Sequence, residues 1–409
     1  MDVVTADQVI SEVGQRLLET VTELRHLARN LPDPVRLCLL PIHVAGSIRN
    51  LPAVQRIVAS AFARLEVYPV QFRNDIGSLS SIELFISRRM SQVVDTADDL
   101  FGTTAHCAQL DRLIAAFDCS ILEVGFSLVE APGAPGLQLA THAGVQREGP
   151  AVILVLPCGM PFDLCRPWFN ALSQDFYVAT WETRGLFGRC GQFDDVHVGV
   201  TDQVDDLVAV MDRLSIDRAH LMGVCGGAVI ALAAAAEQPD RVLSLGLWYG
   251  DYNMSSNAVR TRHQQNFEWL METASQSREE AINLYGMFKD QATLVTIPER
   301  IAHMALYPYT NPELLFRYAK INNALNKVDS LAYLTRVKVP TLVVTGDSDE
   351  TTHSGGSKMV AQGIPGAVLK VEAGGSHQQF FNVSVISRDT AVRFIVSTSK
   401  DSEGEIFFA

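Results

Sequence analysis

The residue of this sequence best placed to do chemistry is a cysteine flanked by glycines. The apolar run 220–222 leads into the sequence GVCGG at 223–227, and an alanine-rich stretch follows at once. A strand that turns sharply into a helix lifts the central side chain above the sheet, and small neighbours let the turn close. The N–H groups of the helix N-terminus favour a negatively charged sulfur. The pattern predicts a nucleophilic Cys225, against the alternative of a glycine-rich turn around a structural cysteine.

An acid and a base follow two later apolar runs. Asp349 comes after the run 341–345, and His377 lies in a glycine-rich loop after the run 368–371. A nucleophile, an acid and a histidine in this chain order can meet at the carboxyl edge of one parallel sheet. His377 would take the thiol proton, and Asp349 would orient the imidazole and stabilise its charge. We therefore predict a Cys225–His377–Asp349 triad.

A tight turn after another apolar run is the candidate for stabilising a reaction intermediate. The run 152–156 is followed by the sequence PCGMP at 157–161. Backbone N–H groups near a nucleophile can hold the oxyanion of a tetrahedral intermediate. We assign this role to the N–H groups of Met160 and Gly226, the latter being the residue after the nucleophile. Cys158, in the same turn, is either a structural cysteine or a second catalytic thiol.

The elements that must position these residues alternate between strand and helix from about residue 120. Helical stretches such as 203–214 and 228–238 separate short apolar runs. This alternation predicts an α/β fold, with a mostly parallel, doubly wound sheet between two helical layers. The runs are 137–141, 152–156, 176–180, 220–222, 242–247, 341–345 and 368–371. Residues 252–335 lack strand patterns and are rich in aromatic residues and Met, so we predict a helical cap inserted in a domain spanning 119–409.

The first part of the chain reads differently. Residues 1–118 show helical patterns, the first of which covers about 6–29 and ends before two prolines. A second pattern starts at Pro52 and repeats apolar residues at steps of three and four. Residues 1–118 are therefore predicted to form a small all-helical domain.

Composition excludes several classes of function. The chain has 409 residues, 47% of them apolar, and a formal net charge of −13 without a long Lys/Arg run. This balance argues against nucleic acid or an anionic membrane as partner. We find no signal peptide, no apolar run of the roughly 18 residues that span a bilayer, and no C-x-x-C pair among the 7 cysteines. The expectation is a cytoplasmic protein without a metal site or a bound cofactor.

Residues from about 120 to 398 resemble the α/β-hydrolase family. The matching segments are 157–161, 181–185, 223–227, 339–349 and 375–377. Two features depart from the family pattern, because Cys225 stands where a serine is usual and no histidine precedes Gly159. In some related thioesterases the acid follows the preceding strand, which makes Asp251 the alternative to Asp349.

Residues of about 50–117 resemble an acyl or peptidyl carrier domain. The segments 52–67, 74–84, 98–104 and 110–117 match its helices and its phosphopantetheine-attachment segment. The usual acid before the attachment serine is missing, since Gly77 precedes Ser78. Ser78 is thus either a phosphopantetheine attachment site or an unmodified helix N-cap in a degenerate carrier-like module.

Taken together, the chain resembles the cysteine aminoacyltransferases of nonribosomal peptide pathways, the syringomycin-type shuttles. This resemblance implies transfer of an aminoacyl or acyl group from the phosphopantetheine of one carrier protein to Cys225 and on to another carrier protein. A cysteine that attacks a thioester makes another thioester, so little free energy is lost and the group stays transferable. The alternatives are a thioesterase with the same triad, a polyester synthase or dienelactone-type hydrolase, and an inactive binding protein.

Overall fold

The computed structural model describes residues 5–32, 34–40, 48–67, 69–97, 99–145, 149–188, 190–254, 259–288 and 299–399. The predicted cap segments 255–258 and 289–298, and Asp98 of the carrier-like region, lie outside these ranges. The chain divides into two compact units, 1–123 with 282–312, and 124–281 with 313–409. The described residues of 282–312, which the sequence placed in the cap, therefore group with the N-terminal residues.

The secondary structure alternates between helices and strands over most of the second unit. The helices are α1 (Ala6–Arg29), α2 (Leu51–Arg64), α3 (Ser81–Asp95), α4 (Thr104–Ala116), α5 (Arg166–Leu172), α6 (Val200–Arg213), α7 (Gly226–Glu237), α8 (Arg262–Ala274), α9 (Arg278–Phe288), α10 (Glu299–Ala305), α11 (Pro312–Asn326), α12 (Leu331–Leu334), α13 (Ser354–Gly363), α14 (His377–Phe380) and α15 (Val385–Ser399). The strands are β1 (Val35–Leu37), β2 (Val70–Phe72), β3 (Phe126–Glu130), β4 (Gln138–Ala143), β5 (Ala151–Val155), β6 (Tyr177–Trp181), β7 (Ala219–Val224), β8 (Val242–Trp248), β9 (Thr341–Gly346) and β10 (Val368–Glu372).

The first unit is helical, as expected, and it also contains a short strand pair. Helix α1 begins with a capping box at Thr5 and buries Ile10, Leu17 and Leu24, one every second turn. Strands β1 and β2 pair in parallel over three residues each. The sequence analysis missed this pair because three residues are too few to show an alternating pattern.

The second unit contains an eight-stranded sheet, whose strand order is β10-β9-β8-β7-β5-β6-β4-β3. Strands β5 to β10 are parallel to one another, whereas β4 pairs antiparallel with both β3 and β6. The seven predicted strands are all present, and β3 was missed. Helix α7 is apolar on all sides and almost wholly buried, as expected of a helix covered from both sides.

None of the described helices combines the length and the apolar character that crossing a bilayer requires.

A buried ion pair fixes the segment that follows β6. The guanidinium of Arg184 donates to the Asp206 carboxylate on α6, from Nε to Oδ2 at 2.7 Å and from Nη2 to Oδ1 at 2.6 Å. The exposed fractions of the two side chains are 1% and 0%. Arg184 also donates to the backbone oxygens of His197 and Asp202, at 3.0 and 2.8 Å. Both charges are therefore compensated within a space that water does not reach.

Arg184→Met should lower the free energy of unfolding of the second unit by about 3–5 kcal/mol, because it leaves a buried carboxylate without its cation. Urea unfolding followed by tryptophan fluorescence measures this, since all 4 tryptophans lie within the ranges of the second unit. The double variant Arg184→Met/Asp206→Leu should recover most of the loss. Equal instability of the single and double variants would show that the packing of Arg184, and not its charge, matters.

Candidate active site

Cys225 occupies the turn between β7 and α7 in an unusual backbone conformation. Its φ is 53° and its ψ is −127°, a region that residues with a side chain rarely adopt. Hydrogen bonds hold it there, because its N–H donates to Trp248 O at 3.1 Å and its carbonyl accepts from Ala228 N and Asp251 N at 3.1 and 3.2 Å. A Cβ at Gly223 would lie 2.8 Å from the Cα of Ala228, so only glycine allows the helix to turn back this closely. The thiol is half-buried at the start of α7.

His377 and Asp349 lie side by side beneath the same edge of the sheet. His377 Nδ1 is 2.9 Å from Asp349 Oδ2, and both residues are buried. Asp349 Oδ1 accepts from the N–H groups of Thr351 and Thr352, at 2.8 and 2.9 Å, and its Oδ2 accepts from the Thr352 hydroxyl at 2.9 Å. Burial alone would raise the pKa of Asp349, but His377 and the donors of Thr352 outweigh it and lower that pKa below its ordinary value.

Cys225 also acts on the imidazole of His377. Since Nδ1 faces Asp349, Nε2 is the nitrogen left for the thiol. Burial alone would lower the pKa of His377, but the charge of the Cys225 thiolate and the hydrogen bonds of Asp349 and Cys225 raise it to about 10. The surroundings of His377 therefore favour the protonated ring.

Asp251, the alternative acid, is not placed against His377. Its carboxylate accepts a hydrogen bond from Gln264 Nε2 on α8 at 2.6 Å, and its N–H supports the carbonyl of Cys225. In the structure, Asp349 is the acid that contacts the histidine. The strand order makes this possible, because β9 lies next to β10 and their carboxyl ends meet.

The two predicted oxyanion donors differ in their availability. The N–H of Met160 donates to Pro157 O at 3.0 Å, so the prediction that it serves an oxyanion does not fit this conformation. Residues 157–160 form a β-turn in which the third residue, Gly159, has φ of 79°. In a turn of this type the N–H of the fourth residue, Met160, donates to the carbonyl of the first, Pro157. The N–H of Gly226 has no hydrogen-bond partner within the described part of the chain.

The thiol of Cys158 is not suited to a second nucleophilic role. It is fully buried, and burial, reinforced by the nearby charge of Cys225, raises its pKa to about 12 despite a hydrogen bond from Thr183. It therefore stays protonated at neutral pH, whereas thiolates are the reactive form of cysteine.

Helix α11 covers this site within the second unit. A Cβ on Gly159 would lie 2.3 Å from the ring of Tyr318, and a Cβ on Gly226 would lie 3.9 Å from Leu325 Cδ1. These contacts place α11 against both the turn at 157–161 and the start of α7. Helix α11, which lies within the predicted cap, thus bounds the space beside Cys225.

Ser78 lies in the first unit and is exposed. Its N–H donates to Asp75 Oδ1 at 3.2 Å, and the N-cap of α3 is Ser80, whose side chain and Glu83 form a capping box. The interpretation of Ser78 as the helix N-cap is therefore wrong, because α3 begins at Ser81, two residues too late for it. Its modification by phosphopantetheine stays a prediction.

Two supporting residues were not recognised in the sequence. Thr352 satisfies both oxygens of Asp349, and Tyr249 places the edge of its ring on the His377 imidazole with ring centroids 5.8 Å apart. The Tyr249 hydroxyl donates to Glu372 Oε2 at 2.5 Å. An aspartate with threonines two and three positions later is a signal for a side-chain-to-backbone turn that could have identified Thr352. Tyr249 carries no such signal, since only the pairing of β8 with β9 brings it near the histidine.

Comparisons with known proteins agree with this architecture. No protein-family model matches the chain. It is 25% identical over 263 residues to "Putative carbamate hydrolase RutD" of Caulobacter sp. strain K31, covering 62% of this chain and 95% of that protein. It is 24% identical over 230 residues to 3-oxoadipate enol-lactonase 1 of Acinetobacter baylyi, covering 53% and 78% of the two proteins.

Solved structures show the same fold. The enol-lactonase from Burkholderia xenovorans LB400 aligns with a TM-score of 0.52 at 22% identity and covers 66% of this chain and 99% of that chain. The bromoperoxidase from Bacillus anthracis aligns with a TM-score of 0.52 at 18% identity and covers 66% and 99%. The chain has the α/β-hydrolase fold.

The fold predicted from the sequence is thereby confirmed. The sequence relatives are hydrolases of the α/β-hydrolase superfamily, and together with the structural neighbours they indicate an α/β-hydrolase-fold enzyme. They give no support to the carrier-like reading of the N-terminal region or to an aminoacyl shuttle, which remain predictions.

The charge state of His377 can be measured directly. A ¹⁵N NMR titration of the imidazole nitrogens should show His377 losing its proton at a pH of about 10, because two anions stabilise the protonated ring. Cys225→Ala removes one anion and should move this transition to lower pH, and Asp349→Asn should also lower it.

His220 provides a reference in the same spectra. Its ring lies between the hydroxyls of Ser244 and Ser399, and burial lowers its pKa to about 4, so it should stay neutral through the whole range above that pH. A His377 ring that titrates near 6.5 in the unmodified protein would contradict the proposed ion pair.

A comparison of two acid variants tests which carboxylate serves the histidine. Asp349→Asn should lower the rate of Cys225 acylation on the order of 10²–10⁴-fold, because the imidazolium loses its stabilising charge. Asp251→Asn should change the rate by less than about 5-fold, since its amide can still accept from Gln264. Single-turnover acylation by a thioester, followed by mass spectrometry, measures both. A larger loss for Asp251→Asn would reverse the assignment.

Proposed function

We propose that this protein is a cysteine-dependent acyltransferase that carries an acyl or aminoacyl group as a thioester on Cys225. The observation that carries the proposal is the buried imidazole of His377, which is hydrogen-bonded to Asp349 at 2.9 Å and whose pKa Cys225 and Asp349 raise. A nucleophile, a base within hydrogen-bond reach and a third group that orients the base are the components of covalent acyl transfer.

The proposed first half-reaction moves one proton and exchanges one bond. The Cys225 thiolate attacks the carbonyl carbon of a donor thioester and forms a new C–S bond. The bond between that carbon and the donor sulfur then breaks, and the departing thiolate takes the proton of the His377 imidazolium. Asp349 stabilises the imidazolium until the proton leaves. The result is an acyl–Cys225 thioester and a free donor thiol.

The second half-reaction reverses these steps with a different thiol. His377 takes the proton of the incoming thiol, whose sulfur attacks the acyl–Cys225 carbonyl, and the Cys225 thiolate departs. Both half-reactions convert one thioester into another, so the acyl group keeps its reactivity. A serine at this position would form an oxygen ester, which is a poorer donor to a thiol. The cysteine therefore supports transfer as the outcome.

We further propose that donor and acceptor are phosphopantetheine thiols on acyl or peptidyl carrier proteins. The support comes from the sequence resemblance to cysteine aminoacyltransferases and from the half-buried position of Cys225, which a long flexible thiol arm suits. On this proposal the chain itself holds no cofactor, because the pantetheine arrives on the partner.

Hydrolysis is the second candidate. The named relatives are hydrolases, and a water molecule activated by His377 could replace the acceptor thiol. The enzyme would then release acyl groups from thioesters with the same three residues.

Variants at Cys225 separate these functions. Incubation with an acyl N-acetylcysteamine thioester should add the mass of the acyl group to the unmodified protein, and Cys225→Ala should show no adduct. Cys225→Ser should acylate slowly and keep its ester, because an oxygen ester exchanges poorly with thiols. Intact-protein mass spectrometry measures each species over time.

A chase of the acyl-enzyme with either buffer or a phosphopantetheine-loaded carrier protein decides the acceptor. Transfer to the carrier faster than loss in buffer supports the acyltransferase. Equal loss with and without the carrier assigns the protein to hydrolysis, and a Cys225→Ser variant that transfers at the parent rate contradicts the role given to the cysteine.

A further inference from the structure

The side chain of Gln264 is buried between the loops that follow β8 and β9. Gln264 is the third residue of α8 and is 6% exposed. Its Oε1 accepts the N–H of Thr261 at 2.9 Å, and its own N–H donates to Thr261 Oγ1 at 3.0 Å. These two bonds form a capping box, which an exposed glutamine could form equally well. The capping box therefore does not account for the burial of Gln264.

A further contact of Gln264 reaches the loop after β8, beside the nucleophile. Gln264 Nε2 donates to Asp251 Oδ1 at 2.6 Å. The backbone N–H of Asp251 donates in turn to the carbonyl of Cys225 at 3.2 Å. Through Asp251, the side chain of Gln264 therefore contacts the strained turn that presents the thiol.

Two other contacts reach the loop after β9, which carries the acid of the site. Gln264 Oε1 also accepts the N–H of His353 at 3.1 Å. Thr261 Oγ1 donates to the carbonyl of Thr351 at 2.9 Å. These contacts lie on either side of Thr352, whose N–H and hydroxyl both donate to the carboxylate of the acid. The start of α8 therefore holds the residues that hold the acid.

The partners of Gln264 fix the orientation of its amide. The N–H groups of Thr261 and His353 can only donate, so the amide atom that they share is the oxygen. The nitrogen is then the atom that faces Asp251, whose carboxylate accepts. Position 264 thus requires an acceptor towards one loop and a donor towards the other, which a glutamine offers in a single side chain.

We propose that Gln264 is a positioning residue that joins the turn of the nucleophile to the loop of the acid. The alignment of Cys225 with His377 depends on both loops, and a displacement of about 1 Å can lower a rate about 10²-fold. Because α8 lies in the predicted cap, this bridge makes the seating of a cap helix a condition for the alignment of the site. The inference rests on the proposed function, since the rate that it concerns is the acylation of Cys225.

An exchange of donor and acceptor between positions 251 and 264 tests the bridge. Gln264→Glu removes the donor and sets two carboxylates against each other, so acylation of Cys225 by acyl N-acetylcysteamine should be about 10²-fold slower. In Asp251→Asn/Gln264→Glu the donor lies at 251 and the acceptor at 264. The bridge is then restored, and the rate should return to within about 10-fold of that of Asp251→Asn. Single-turnover acylation followed by mass spectrometry measures these rates on the whole chain.

Gln265→Glu is the matched control. Gln265 is the next residue of α8 and is exposed, so the same change of charge lies outside the bridge and should leave the rate of the parent protein. An equal loss in Gln265→Glu would assign the effect to the charge of α8 and overturn the proposal. A Gln264→Glu variant at the parent rate, or a double variant as slow as Gln264→Glu, would also overturn it.

Gln264→Met decides the question if Gln264→Glu does not fold, because methionine has nearly the same length and adds no charge. Its acylation should be about 10²-fold slower. A ¹⁵N NMR titration should show His377 losing its proton at lower pH than in the parent protein, because a less firmly held Asp349 stabilises the imidazolium less. A slower variant with an unchanged His377 titration would mean that Gln264 only supports the packing of α8, and the proposal would fail. An absence of acylation in the parent protein, by contrast, would refute the proposed function itself.

Discussion

The arrangement around His377 depends on stabilising a charged ring where water is scarce. A buried imidazolium is costly by itself, because it loses its hydration. Here the interactions of the ring with Cys225 and with the carboxylate of Asp349 raise the pKa of His377 to about 10 in spite of burial. Each member of the set therefore requires the others, and the chain must bring all three to one point.

The strand-to-helix turn at Cys225 meets this requirement at the expense of local strain. A residue with a side chain at φ of 53° is held only where its surroundings leave no alternative. The hydrogen bonds from Cys225 to the end of β8 supply that constraint, and the buried helix α7 supplies the packing. The strain is thus maintained by the core of the sheet and serves to expose a sulfur at its edge.

The acid is supported in a similar way. Thr351 and Thr352 offer two N–H groups and a hydroxyl to Asp349, so its carboxylate is satisfied on all sides except the one that faces His377. Asp251 also lies near the nucleophile, since its N–H donates to the Cys225 carbonyl. Its carboxylate, however, accepts a hydrogen bond from Gln264. The difference between the two acids comes from their hydrogen-bond partners and not from their distance in sequence.

The sequence by itself determined the layers of the fold and the order of the reactive residues, because both follow from local patterns. Apolar runs of strand length, an alanine-rich helix and glycines around Cys225 are signals contained within about ten residues each. The choice between Asp349 and Asp251 was decided only in the tertiary structure, and so was the engagement of the Met160 N–H. Each of these depends on which strand ends lie side by side and on which donors the packing pairs with an acceptor, and a sequence pattern does not contain that information.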